Sequence, residues 1–338
     1  MSRVLLLFGG RSAEHEVSCV SAVAIHDALE AAGHRVIPVG IDRHGGWAIT
    51  DPTHRPFRAE GRPVRLLVPG GTLVSGTDEV EFDVVFPVLH GPFGEDGTIQ
   101  GLFEILGVPY VGCGVLASAV AMDKDVAKRL VRAAGIPSPE WSVVRGDVFR
   151  GDAARVVGEL LRRFPLPVFV KPAALGSSVG ITKAGSEAEV KDAIDEALRY
   201  GAKVVVEEAI VGREIEVAVL EGPRVSLPGE IVIEREWYDY EAKYRDATSR
   251  FEVPANLTAA RTAEVRDLAG RVFTALECRG LARVDFLYEP DGRGFLFNEL
   301  NTMPGFTPIS GFPKMWEASG LSYPDLCHEL VTLAAGAR

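Results

Sequence analysis

At 338 residues, 47% hydrophobic and 25% charged, the chain has the composition of a soluble globular protein, long enough for two or three domains of ~100–200 residues each. Its net charge of −11 argues against nucleic acid as a main partner, although local basic residues can still hold an anionic ligand. Cys19, Cys113, Cys278 and Cys327 are far apart with no CxxC pair, which speaks against a zinc site or a disulfide framework and fits a reduced compartment. The apolar run Val4 to Phe8 is too short for a signal-peptide core or a membrane span, so the chain reads as cytoplasmic with no membrane partner.

In chain order, Arg3 to Phe8 reads as a buried strand. Gly9-Gly10-Arg11-Ser12 is a loop in which Ser12 suits an N-cap, and a helix is expected from Ala13 to Ala32, stopping at Gly33. Arg35 to Ile41 is the next strand, giving a βαβ unit of parallel-sheet type that lacks the GxGxxG of a dinucleotide site. Strand Asp83 to Leu89 feeds the loop His90 to Gly97 and helix Thr98 to Leu106. These first residues, 1–113, read as an open parallel α/β domain with its loops at the strand C-termini, where ligands bind in such sheets. A second region, 114–204, holds a helix carrying Met122-Asp123-Lys124, the strand Val168 to Pro172, a glycine-serine loop from Ala173 to Gly180, a strand near Ile181, helix Glu187 to Tyr200 and strand Lys203 to Glu207. A third, 205–338, holds antiparallel strands Glu214 to Leu220 and Glu230 to Glu234, a long loop Glu236 to Asn256, helix Thr258 to Leu276 and a final hairpin.

That hairpin is the richest segment. Val284 to Tyr288 and Phe295 to Leu300 read as strands, with Pro290, Asp291, Gly292 and Gly294 at the turn. Side chains alternate along a strand, so Glu299 and Asn301 share a face, as do Arg283 and Asp285. Folding the hairpin sets Asp285 opposite either Asn298 or Glu299. Hard oxygen donors grouped this way suit Mg²⁺ against phosphates, although an ordinary hairpin ending in solvated acids fits equally. The glycine-serine loop after Lys171 has backbone N–H groups able to cradle phosphate, but it is no Walker A loop and a plain turn also fits. Lys124 in isolation is compatible with a solvated surface lysine. The strand ending in Glu207 and Glu208, with Ile210 and Glu214 beyond, offers either an adenine-and-ribose edge or an acidic turn.

Taken together, these segments resemble the ATP-grasp superfamily, and within it the D-alanine–D-alanine ligases, from Leu5 to about Trp316. The resemblance rests on Gly-Gly-Arg-Ser-Ala-Glu14-His-Glu-Val-Ser, Leu-His90-Gly with Gly-Glu-Asp-Gly-Thr-Ile-Gln-Gly, Ala-Met-Asp-Lys124, Val-Lys171-Pro with Gly-Ser177-Ser178-Val-Gly, Tyr-Asp-Tyr-Glu-Ala-Lys243-Tyr244, Arg283-Val-Asp285, and Asn298-Glu299-Leu-Asn301-Thr-Met-Pro-Gly305-Phe. It implies a three-domain α/β fold, α+β in its ATP-binding part, with residues 236–256 as a lid. The implied activity is ATP-dependent joining of two D-alanines through a D-alanyl phosphate, for peptidoglycan precursors. Asp285, Glu299 and Asn301 would hold two Mg²⁺ ions, with Mn²⁺ able to substitute. Lys124, Lys171 and Lys243 would neutralise phosphate charge, and Ser177, Ser178 and Asn298 belong to the same ATP-binding set. Glu207, Glu214 and the Ile210 backbone would contact adenine and ribose. Glu14 would receive the first D-alanine's ammonium, ordered by Ser177 and Tyr244. His90 would lie near the first carboxylate, and Ser310 with Gly305 near the second. Arg283 and the Gly305 N–H would form an oxyanion hole. D-Alanine and ATP are the implied partners, and the resemblance further implies a homodimer formed through the N-terminal domain.

Two alternatives follow from the same resemblance. A catalytically dead nucleotide-binding relative should have lost a metal acid, Arg283 or a lysine, and none is lost. A ligase for other substrates is the second; the Tyr244-type lid speaks against the D-lactate-adding type, which carries a histidine there, while a D-serine ligase is harder to exclude. Gly311 departs from the leucine or methionine usual in the family. It is expected to leave room in the second-substrate pocket, unless a repacked neighbour fills the gap.

Overall fold

The computed structural model describes residues 1–67, 71–176, 179–233 and 249–336. Strand Arg3–Gly9 lies between Arg35–Ile41 and Val84–Pro87 and is parallel to both, while Trp47–Ile49 and Arg62–Pro63 complete a five-stranded sheet with an antiparallel edge. Val4, Leu6 and Phe8 enter one core and Leu5 and Leu7 another, which is why this doubly covered strand is apolar throughout. The loops after Arg3–Gly9 and Val84–Pro87 therefore leave the same sheet edge, as the βαβ reading requires.

Two local expectations are corrected here. The first helix begins at His15, with Glu14 rather than Ser12 at its N-cap; the Ser12 hydroxyl instead accepts the Glu14 N–H at 3.1 Å. The helix carrying Met122 is two helices, Val115–Met122 and Lys124–Ala133, broken at Asp123, whose carboxylate accepts the N–H groups of Asp125 and Val126. An acid at this position both ends one helix and caps the next.

An antiparallel four-stranded sheet follows, in the order Thr182–Ala184, Val168–Pro172, Lys203–Glu208 and Trp141–Arg145, covered by helices Ala153–Arg163 and Glu187–Ala197. The domain boundary expected between residues 204 and 205 falls inside strand Lys203–Glu208, all of which belongs to this sheet. The two helices around Asp123 share their core instead with the last sheet, where Ala121, Ala127 and Val131 join Val217, Val284 and Phe297.

Among the described residues that last sheet has six strands. Its centre is Leu281–Glu289, flanked by Arg213–Leu220 on one side and Gly294–Asn301 on the other. One face packs on helix Ala259–Ala275 through Ile215, Val217, Val284, Phe286, Phe295, Phe297 and Leu300. Ser249–Glu252 pairs with Gly229–Ile233, so the loop expected over 236–256 contains a strand at 249–252; its residues 236–248 lie outside the described residues.

The hairpin carries a β-bulge. Phe286 pairs with Phe297 but Asp285 pairs with Glu299, leaving Asn298 as the extra residue. This settles which residue faces Asp285. It also changes the alternation: Phe295, Phe297 and Leu300 all enter the core, while Glu299 and Asn301 face the other way. Without the bulge, the strict period of two would put Phe297 and Glu299 on one face. Phe297 is fully buried beneath the bulge. Phe297→Ala should therefore cost about 3–5 kcal/mol of stability, read from urea unfolding. An unchanged midpoint would show that this ring does not hold the hairpin.

Candidate active site

The face of the three central strands turned away from helix Ala259–Ala275 carries a small grid of polar residues. In register, Glu216, Asp285 and Glu299 lie side by side on adjacent strands, and Arg283 pairs with Asn301 in the next row. Adjacent strands are only ~4.8 Å apart, so three carboxylates in a row need nearby cations. Arg283 supplies one. Its guanidinium donates to both Asp285 oxygens at 2.7 and 2.6 Å and lies 3.3 Å from Glu216, and Asn301 donates to Asp285 at 3.0 Å. Burial works against its charge, but Asp285 and Glu216 raise Arg283 well above its ordinary range. Among the described residues no group of three or more His, Cys, Asp and Glu side chains stands ready for a metal. Two carboxylates and the Asn301 amide nonetheless form a hard-oxygen set that fits Mg²⁺.

Lysines close the other side. Lys124 starts the helix after Asp123, bonds the Leu175 carbonyl at 2.8 Å and lies 3.2 Å from Glu299. It is buried and joins the helix to both the glycine loop and the hairpin, which excludes the surface-lysine reading. Lys171 donates to Glu207 at 2.6 Å and reaches the bulge residue Asn298 at 3.4 Å. Lys128, fully buried one turn after Lys124, meets the other Glu207 oxygen at 3.1 Å. Burial alone would push Glu207 up, but Lys128 and Lys171 together hold it down to about 2. Burial pulls Lys128 below the usual lysine range despite Glu207, whereas Glu207 overcomes burial at Lys171 and raises it. Glu207 is thus a firmly ionised anchor, and Ile210 and Glu214 are half-buried on the chain beyond it.

The N-terminal loops dock onto the far end of the hairpin. His90 Nδ1 lies 3.0 Å from the Met303 carbonyl, which can only accept, so the ring proton sits on Nδ1. Glu95 accepts the N–H groups of Gly91 and Met303, at 2.6 and 3.2 Å. Glu14 comes so close to Gly91 that a Cβ there would lie 2.7 Å from its Oε2, and it also approaches Gly176 of the glycine loop. Gly91 has φ +72, so the turn and the carboxylate both demand glycine. Burial and the neighbouring Glu14 push Glu95 up to about 8, against the two N–H donors and Arg283.

Ser310 stands at the N-cap position of helix Gly311–Ala318 without a side-chain capping bond, and its hydroxyl instead accepts the Thr307 N–H at 3.1 Å; a Cβ on Gly305 would lie 3.1 Å from that hydroxyl. The room expected at Gly311 is absent. A Cβ there would meet Glu216 Oε2 at 2.6 Å and the Phe251 ring at 2.8 Å, so neighbours fill the gap. Ser177, Ser178, Lys243 and Tyr244 lie outside the described residues. Sequence reasoning missed Glu216, Lys128 and the role of Glu95. Two of these had a signal: Glu216 is two residues after Glu214 in a strand, and Lys128 is four after Lys124 in a helix, spacings that share a face.

Comparison with known proteins agrees over almost the whole chain. Residues 3–113 match the family described as D-ala D-ala ligase N-terminus, and residues 130–332 match D-ala D-ala ligase C-terminus. The D-alanine–D-alanine ligase of Heliobacterium modesticaldum is 46% identical over 98% of this chain and 93% of its own length. D-alanine–D-alanine ligase A of Bradyrhizobium diazoefficiens is 47% identical over 98% of this chain and 94% of its own. Among solved structures, the D-alanine–D-alanine ligase from Coxiella burnetii has a TM-score of 0.87 at 37% identity, covering 98% of this chain and 93% of that one. The VanG D-Ala:D-Ser ligase from Enterococcus faecalis has a TM-score of 0.86 at 36% identity, covering 98% and 99%.

Glu95 has a pH signature. Glu95 is raised from 4.5 to about 8, so the folded state holds a proton that the unfolded chain releases. Its contribution to stability is full below pH 4.5 and is lost as pH rises toward about 8. Glu95→Gln should flatten the fall in melting temperature across that window. An equal slope in both proteins would place the titration elsewhere.

Proposed function

The chain belongs to the D-alanine–D-alanine ligase family, and from that premise we propose that it joins two D-alanines at the expense of ATP, through a D-alanyl phosphate, to make peptidoglycan precursors in the cytoplasm. The observation that carries this reading is the single polar face of the hairpin. It sets Asp285, Glu299 and Asn301 beside Lys124 and Lys171, with Arg283 gripping Asp285 and the loop bearing His90 docked just past the hairpin at Met303.

A carboxylate is a poor electrophile, so the first D-alanine must be activated. Its carboxylate oxygen attacks the γ-phosphorus, ADP leaves, and a mixed anhydride forms. Lys124, Lys171 and Lys243 offset charge on the phosphates, with Ser177, Ser178 and Asn298 around them. Glu207, Ile210 and Glu214 hold adenine and ribose. Asp285, Glu299 and Asn301 would hold magnesium, or manganese in its place, which supplies charge neutralisation for the phosphoryl group when bound. Glu14 receives the first ammonium, ordered by Ser177 and Tyr244, and His90 lies near the first carboxylate.

In the second step the amine of another D-alanine, having lost a proton, attacks the carbonyl. The C–N bond forms as the bond to phosphate breaks. Arg283 and the Gly305 N–H meet the oxyanion that develops, and Ser310 and Gly311 border the second amino acid. The acyl phosphate is open to hydrolysis, so closure by the chain around Lys243 and Tyr244 fits the chemistry. The likeness to a D-Ala:D-Ser ligase leaves the second amino acid to be decided by this pocket rather than by the fold.

A homodimer through the N-terminal domain is part of the same reading. Ile105, exposed on helix Thr98–Leu106 of that domain, supports it, and sedimentation velocity decides it, a monomer counting against.

Phosphate release from ATP should require D-alanine and not respond to L-alanine. Arg283→Met should lower kcat on the order of 10²–10³-fold, as for loss of one oxyanion donor. No D-alanine-dependent turnover in the wild type would overturn the function, and full activity in the variant would remove Arg283 from it.

A further inference from the structure

Among the described residues Arg283 forms ion pairs with two carboxylates of unequal kind. Asp285 takes it in a two-pronged grip from the same strand, whereas Glu216 reaches it at 3.3 Å from the neighbouring strand, on the side away from Glu299. Glu216 is buried, at 5% exposure. Its other oxygen occupies the space above Gly311, where a methyl group would come within 2.6 Å, and the Phe251 ring closes the remaining side. A carboxylate so confined has little freedom to turn away.

The function proposed above, on which this inference rests, asks two things of Asp285 that conflict. It is to give its oxygens to a divalent cation, and it now gives both to Arg283. Once Asp285 is engaged by the cation, the buried guanidinium keeps its aim only if a second anion holds it. We propose that Glu216 is the positioning residue that keeps Arg283 directed at the developing oxyanion during the second step, and that position 311 is glycine because the Glu216 carboxylate fills its side-chain space. Glu216 touches neither substrate nor phosphate in this role. The departure at Gly311 and the charge at Glu216 then become one feature: a larger side chain at 311 requires a different residue or a different posture at 216.

The role is specific to one step, which gives it a readout that general damage would not reproduce. In the full-length protein with Mg-ATP and D-alanine, Glu216→Gln should lower kcat about 10–100-fold, the scale of a small misplacement of a reacting group. KM for ATP and for the first D-alanine should stay near wild type. The first half-reaction, followed by positional isotope exchange in γ-labelled ATP, should keep its wild-type rate. Glu216→Asp, which retains the charge, should recover part of kcat. Gly311→Ala, which leaves residue 216 intact but pushes its carboxylate aside, should slow the same step and spare isotope exchange. If Glu216→Gln slows exchange and turnover equally, or leaves both unchanged while the wild type turns over, the inference is wrong. If the wild type itself shows no D-alanine-dependent turnover, the underlying function fails with it.

Discussion

Three carboxylates set side by side on adjacent strands are the constraint around which this molecule is arranged. Glu216, Asp285 and Glu299 are held in one row by backbone register, at a spacing that strand pairing dictates and side chains cannot relax. Their mutual repulsion makes cations obligatory. Arg283 answers from within the sheet, between Glu216 and Asp285. Lys124 answers from outside, and to reach Glu299 its helix must cross the hairpin while bonding the glycine loop. A second cluster, Lys128–Glu207–Lys171, lies beside the first and meets it through the bulge residue Asn298. The same dense charge that would strain an empty face is what suits it to a polyphosphate, where added anions and bound cations enter in balance.

The N-terminal unit is tied to this face by few but well-placed bonds. Glu95 and His90 grip the backbone of Met303, just past the hairpin, and Phe306, Phe312 and Trp316 continue from there into the core beneath strand Arg3–Gly9. One short segment thus carries the metal-type donors, the N-terminal docking point and a large part of the shared core. Glu14 stands where the two units meet, over Gly91 and near Gly176. With Glu14 in front of it, buried Glu95 holds on to a proton, so this corner carries less charge than its two carboxyl groups could.

Much of this was legible in the sequence wherever one rule acted alone. Helix Thr98–Leu106 and strand Val168–Pro172 were read to the residue, because hydrophobic period and flanking turns agree there. The polar face of the hairpin was read from simple alternation. Its bulge was not, because an inserted residue shows only as Phe297 and Glu299 belonging to opposite faces, which needs the core to be known. The helix break at Asp123 was hidden for a related reason, since its capping bonds compete with a continuous run of good helix formers. Gly311 leaves two readings open in the sequence, a space or a gap filled by a neighbour. Only the fold brings Glu216 and Phe251, distant in sequence, into that space. Glu216 and Lys128 lay in plain spacing with residues already singled out, but charges inside apolar segments become meaningful only once their partners are placed.

The central claim is that this face first moves a phosphoryl group onto the carboxylate of D-alanine and then presents the activated carbonyl to a second amine. Turnover with D-alanine labelled with ¹⁸O in its carboxylate tests that sequence directly. An acyl phosphate intermediate delivers one labelled oxygen from each activated D-alanine to the released phosphate, which mass spectrometry of the phosphate would detect. Unlabelled phosphate accompanying dipeptide formation would contradict it.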